Sequence, residues 1–127
     1  MVDVVEELRG VDGGRVRVVA LLDSLDYEVL FVRDDLRDVY SADDLEHAYR
    51  SIMAGRLSAH DFSEVGELGD VDCQLFVFER VVVLLFASSR YGGLFVSFDR
   101  EKPFPLLEIV ETVGDVARRL DDDATDD

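Results

Sequence analysis

Between Arg80 and Phe98 the chain has no acidic residue, although 29 of its 127 residues are Asp or Glu. At that overall density several acids would be expected in such a stretch. A charged carboxylate is kept out of places that water does not reach, because removing it from water without a partner costs far more than one fold contact returns. The segment is therefore expected to supply central strands, Val81 to Ala87 and Leu94 to Phe98, covered by a helix on one face and by another helix or a second subunit on the other.

The flanks fit a sheet built around that segment. Val71 to Phe78 reads as a third strand, joined to the next by a tight turn at Glu79-Arg80. On an extended chain Leu75 and Val77 face away from Phe76 and Phe78, so both of its faces are apolar. One face, or the sheet edge, is expected to be shared between two subunits.

Upstream, Val4, Val5 and Leu8 have helical spacing and stop near Gly10, and Arg15 to Leu22 and Tyr27 to Val32 form a strand pair about a turn at Asp23 to Asp26. Ser41 and Asp44 make a capping box with Asp in the Glu place, ahead of Leu45, Ala48, Tyr49, Ile52 and Met53 on one helical stripe. Gly55 is the expected end of that helix, with a long connection from Leu57 to Asp70. Pro103 and Pro105 precede a last helix whose stripe is Leu106, Val110, Val113, Ala117 and Leu120, widened by Leu107, Ile109 and Val116. Arg118 and Arg119 are expected in its last turn, where cations suit the helix dipole.

The expected fold class is α+β: a five-stranded, largely antiparallel sheet flanked by three helices, in the order helix, two strands, helix, three strands, helix. Residues 1–120 read as one domain and 121–127 as an acidic disordered tail. The element order resembles the roadblock and profilin-like architecture, a five-stranded antiparallel sheet with helices packed on its faces. The segment Asp26-Tyr27-Glu28-Val29-Leu30-Phe31-Val32-Arg33-Asp34-Asp35-Leu36, with Tyr40-Ser41 and Val96 to Arg100, is similar to a family of small haloarchaeal proteins of unknown function. That resemblance implies a haloarchaeal source and brings no catalytic residues with it.

The charge balance agrees with such a source. Thirteen basic residues against 29 acids give a formal charge of −16, and Lys102 is the sole lysine. Short hydrated carboxylates keep a protein dissolved where salt screens charge over about 3 Å, whereas lysine adds long apolar stems. Residues 1–63 carry 14 acids and 7 bases, and residues 64–127 carry 15 and 6, so the excess is spread rather than gathered into one docking face. With no basic stripe, direct nucleic-acid binding is disfavoured. The longest apolar run, Val81 to Ala87, is too short for a membrane helix, and no leader pattern opens the sequence, so a cytoplasmic location is expected.

Little in the chain points to catalysis. Cys73 has no cysteine partner for a disulfide or metal site. His47 and His60 lack metal-binding spacing, and the crowd of Asp34, Asp35, Asp38, Asp43 and Asp44 lacks the alternation of a calcium loop. No cofactor is expected. The least ordinary feature is Ser88-Ser89-Arg90-Tyr91-Gly92-Gly93, a basic, aromatic, glycine-containing turn whose backbone N–H groups could cradle an anion. Two readings stand side by side. One is a non-catalytic protein-interaction module acting as a homodimer; the other is a small anionic-ligand-binding regulator or enzyme using that turn.

Overall fold

In the computed structural model, which describes residues 4–10, 15–23, 25–88, 92–100 and 105–125, the chain forms α1 (Val4–Arg9), β1 (Arg15–Leu22), β2 (Tyr27–Val32), α2 (Ala42–Ser63), β3 (Cys73–Val77), β4 (Val81–Ser88), β5 (Gly92–Asp99) and α3 (Leu106–Thr125). A short 3-10 turn, Asp34–Leu36, follows β2. The strands run in the spatial order β2-β1-β5-β4-β3, and every neighbouring pair is antiparallel. β5 is the middle strand and β4 lies beside it, so the acid-free segment occupies the interior of the sheet as expected.

One face is closed by α1 and α3. The spacing of Ile109, Val113, Val116, Ala117 and Leu120 puts all five on one side of α3, where they pack against Leu84, Phe86, Leu94, Val96 and Phe98. Val4 and Leu8 bring α1 onto the same core. The helix lies so close that a Cβ at Gly114 would stand 3.1 Å from the ring of Phe86. Arg119 donates to Glu7 at 2.6 Å and ties α3 to α1, while the Arg9 guanidinium sits over the Phe31 ring at 5.2 Å. These arginines do not end the helix. α3 runs past Leu120 to Thr125, into the acidic run, so Arg118 and Arg119 serve side-chain pairing rather than the last-turn dipole.

Two irregularities assign side chains to faces. Leu30 has no partner across β1, because Phe31 pairs with Val19 and Val29 with the next residue, Ala20. The extra residue turns both Leu30 and Phe31 toward the α3 side. Arg17 is likewise skipped between Val16, opposite Phe98, and Val18, opposite Ser97. Val16 and Val19 remain in the α3-side core, and Arg17 and Val18 are both turned to the other face.

That other face belongs to α2. Its start is the expected capping box: the Ser41 hydroxyl accepts from the Asp44 amide and the Asp44 carboxylate accepts from the Ser41 amide. Its end is not where the glycine suggested. α2 continues through Gly55 to Ser63, because Gly55 has no left-handed backbone, the helix formers Ala54, Arg56, Leu57 and Ala59 surround it, and one glycine costs about 1 kcal/mol in a helix interior. The first half of the expected connection, up to Ser63, is thus helical, and Leu57, Phe62, Val65 and Leu68 are exposed.

Candidate functional site

Two regions have surfaces that the fold leaves unfinished. The first is β3, an outer strand that pairs with β4 alone. Its register with β4 is unbroken from Cys73 to Val77, and neither Pro nor Lys interrupts it. Phe76 and Phe78 stack on one face with ring centres 6.5 Å apart; Leu75 and Val77 point to the other. Both pairs are exposed, Val77 by 54% and Phe78 by 55%. A flat, apolar, unbulged edge of this kind is a template for another strand. The other outer strand, β2, keeps Val29 to Val32 half-buried and exposes Glu28.

The second region lies between α2 and the sheet. Of the 22 residues of α2 only Tyr49 is buried. Tyr49, Ile52 and Met53 pack the helix in a small apolar cluster with Ala20, Leu22, Leu85 and Phe95; the Tyr49 hydroxyl donates to the Asp23 carbonyl, and Gln74 Nε2 on β3 donates to the Gly55 carbonyl at 3.3 Å. Along the N-terminal half of α2, against Tyr49, lies a cavity of about 500 Å³. Leu45, Ala48 and Ile52 of α2 line one wall, and Val18, Val83 and Phe95 line the sheet wall.

A polar cluster closes one end of this cavity. Arg17, brought to this face by the β1 bulge, donates from Nη1 to Asp99 at 2.8 Å and from Nη2 to the Tyr40 hydroxyl at 2.9 Å. Arg33 donates to the other Asp99 oxygen at 2.7 Å and to Asp35 at 2.6 Å. Burial opposes ionisation of Asp99, but the bonds from Arg33 and Arg17 outweigh it and hold the carboxyl below its ordinary value. Burial likewise opposes the charge on Arg17, and its bonds to Asp99 and Tyr40 restore and exceed that loss. Both side chains are therefore charged at neutral pH.

The residues singled out in the sequence are scattered. Ser88 ends β4 and Gly92 and Gly93 open β5, while residues 89–91 lie outside the described residues, so the expected anion cradle is only partly in view. Gly92 has φ +80°, and a Cβ there would collide with the Leu22 carbonyl oxygen, so the glycine is required by backbone contact with β1. His47 and His60 are both exposed on α2, with His60 3.5 Å from Glu64. Asp34 pairs with Arg37, Asp35 with Arg33, and Asp44 caps α2. Burial pushes the Cys73 thiol up, away from reactive thiolate. Among the described residues no group of three His, Cys, Asp or Glu could hold a metal ion, and no helix is long and apolar enough to cross a membrane.

The cluster of Arg17, Tyr40 and Asp99 is absent from the sequence-based expectations. Its signals are present but separate: an Arg-Val-Arg-Val alternation at the head of β1, and Asp99 as the first acid after the acid-free run. No local pattern links them, since the ion pairs span 66 and 82 residues.

The same arrangement of sheet and helices occurs in solved structures. A structure described as MglB with tetrameric arrangement superposes with a TM-score of 0.66 at 15% identity, covering 94% of this chain and 83% of that one. MglB of Myxococcus xanthus gives 0.65 at 7% identity, with coverage of 97% and 89%. The gliding protein MglB of Thermus thermophilus gives 0.53 at 15%, with coverage of 92% and 87%. At these identities the likeness is one of fold, the roadblock-like α+β fold. No curated protein matches in sequence. A family model described as a domain of unknown function, DUF7522, matches residues 2–118, and the chain belongs to that family.

Proposed function

We propose that this chain is a non-catalytic protein-interaction module that works as a homodimer, pairing through β3, in the cytoplasm of a salt-adapted archaeal cell. The observation that carries the reading is the exposed run Leu75-Phe76-Val77-Phe78 on an outer strand. Strand addition across a twofold axis satisfies the free backbone groups of both copies and buries four apolar side chains from each. A protein with a similar fold, MglB, has been solved in a tetrameric arrangement, which supports self-association on such a frame. The spread of −16 charge supports the salt-adapted setting, in which screening lets two acidic copies approach.

The test is the mass in solution at molar salt, by light scattering at micromolar protein, for wild type and Val77→Lys. Val77 is more than half exposed, so lysine there leaves the monomer fold intact while opposing a second strand. Wild type is expected at the dimer mass and Val77→Lys at the monomer mass with an unchanged circular dichroism spectrum. A monomeric wild type, or a Val77→Lys variant that stays dimeric, overturns pairing through β3.

A further inference from the structure

We propose that the cavity between α2 and the sheet binds a small amphiphile, an apolar body of acyl-chain type with a carboxylate head seated at the Arg17 and Tyr40 end. The proposal does not depend on how β3 is paired.

The cavity, at about 500 Å³, falls within the range of sites that hold small molecules. It lies along the N-terminal half of α2 and is bounded by Tyr49 and Ile52, which also pack the helix onto Ala20, Leu22 and Phe95 of the sheet. The walls it keeps apart are apolar, and open apolar walls of this extent favour an apolar guest over water.

The one cation of the lining, Arg17, lies at one end with Tyr40 and Ser97, while at the other end the Tyr49 hydroxyl is engaged by the Asp23 carbonyl, which gives an anionic guest a direction. Tyr40 Oη accepts from Arg17 and so keeps its own proton to donate. Arg17 sits beside it with a charge fixed by Asp99, and Ser97, also in the lining, brings a further hydroxyl. Asp44 is the one acid in the lining, and its carboxylate is engaged by the Ser41 amide of the helix cap. Hydroxyl and guanidinium donors at the mouth of an apolar slot suit a carboxylate, which gains charge-assisted bonds that an alcohol does not.

The experiment is titration of octanoate and octanol into the full chain at molar salt, followed by saturation-transfer NMR and by tyrosine fluorescence. Tyr27, Tyr40 and Tyr49 all line the cavity. Octanoate is expected to bind saturably, and octanol roughly tenfold more weakly for want of the charge-assisted bonds. Ala48→Phe, at an exposed helix position that lines the cavity, is expected to abolish binding while circular dichroism remains unchanged. Tyr40→Phe is expected to weaken octanoate severalfold and to leave octanol as it was.

No saturable binding of octanoate, octanol binding as tightly as octanoate, or unchanged binding by Ala48→Phe would each overturn the proposal. Octanoate binding that appears only in Val77→Lys would also overturn it, because the cavity would then be covered by the second copy in the native protein. The dimer mass is read separately, so failure here and failure of β3 pairing are distinguishable.

Discussion

The two faces of this sheet are built from similar residues and end in different states. On one face, α3 presents five buried side chains and approaches so closely that a Cβ at position 114 would press on the Phe86 ring at 3.1 Å. On the other, α2 is the longer helix, yet it buries a single tyrosine, touches the sheet through Tyr49, Ile52 and Met53, and leaves a cavity before Val18 and Val83. Helix length is thus no measure of packing. The closed face holds the larger hydrophobic cluster, and the open face, with the outer strand edge beside it, leaves apolar surface exposed.

This contrast is broken most directly by paired truncations. Phe98→Ala, on the closed face with no solvent exposure, is expected to cost about 3–5 kcal/mol in denaturant unfolding at molar salt. Phe95→Ala, half-buried on the open face, is expected to cost about 1 kcal/mol. Equal losses would mean that the α2 face is as closed as the other.

A smaller effect tests the cluster at the cavity end. Asp99→Asn leaves Arg17 and Arg33 without their shared carboxylate and is expected to lower stability by roughly 1–2 kcal/mol at neutral pH. The sign of its pH dependence follows from the lowered carboxyl value. The Asp99 contribution is complete above the unfolded value of about 3.9 and is lost as pH falls from there through the folded value. Wild type minus Asp99→Asn should therefore shrink toward zero in that acid window, and a constant difference down to about pH 2 would exclude the linkage.

The start of α2 provides a third measurement. Ser41→Ala removes one half of the capping box and is expected to cost about 1 kcal/mol. Gly55→Ala should act in the opposite direction and by the least: a Cβ there meets nothing within 4 Å, so a gain of about 0.5–1 kcal/mol is expected from helix propensity. A loss would show that α2 requires glycine at that point.

These positions also show where sequence reasoning succeeds. The strand from Arg15 to Leu22, the cap at Ser41 and the strands β4 and β5 are legible because each rests on neighbours within a few residues. Gly55 misleads because a single glycine lowers helix propensity without forbidding the helix, and the helix formers Ala54, Arg56, Leu57 and Ala59 around it carry α2 on to Ser63. Arg119 reads as a helix-end residue for a different reason. Its partner Glu7 lies 112 residues away, beyond the range of any periodic pattern.

The sequence by itself determined the class of fold, the sheet interior and the apolar character of both faces of β3, because exclusion of carboxylates and a two-residue alternation follow from desolvation and strand geometry alone. Tertiary structure decided which strand is left at an edge, which face α2 covers incompletely, and the meeting of Arg17, Tyr40 and Asp99. Those outcomes depend on strand order and on a bulge that turns one arginine across the sheet. Both are settled by long-range pairing, whose energy no local stretch of the chain contains.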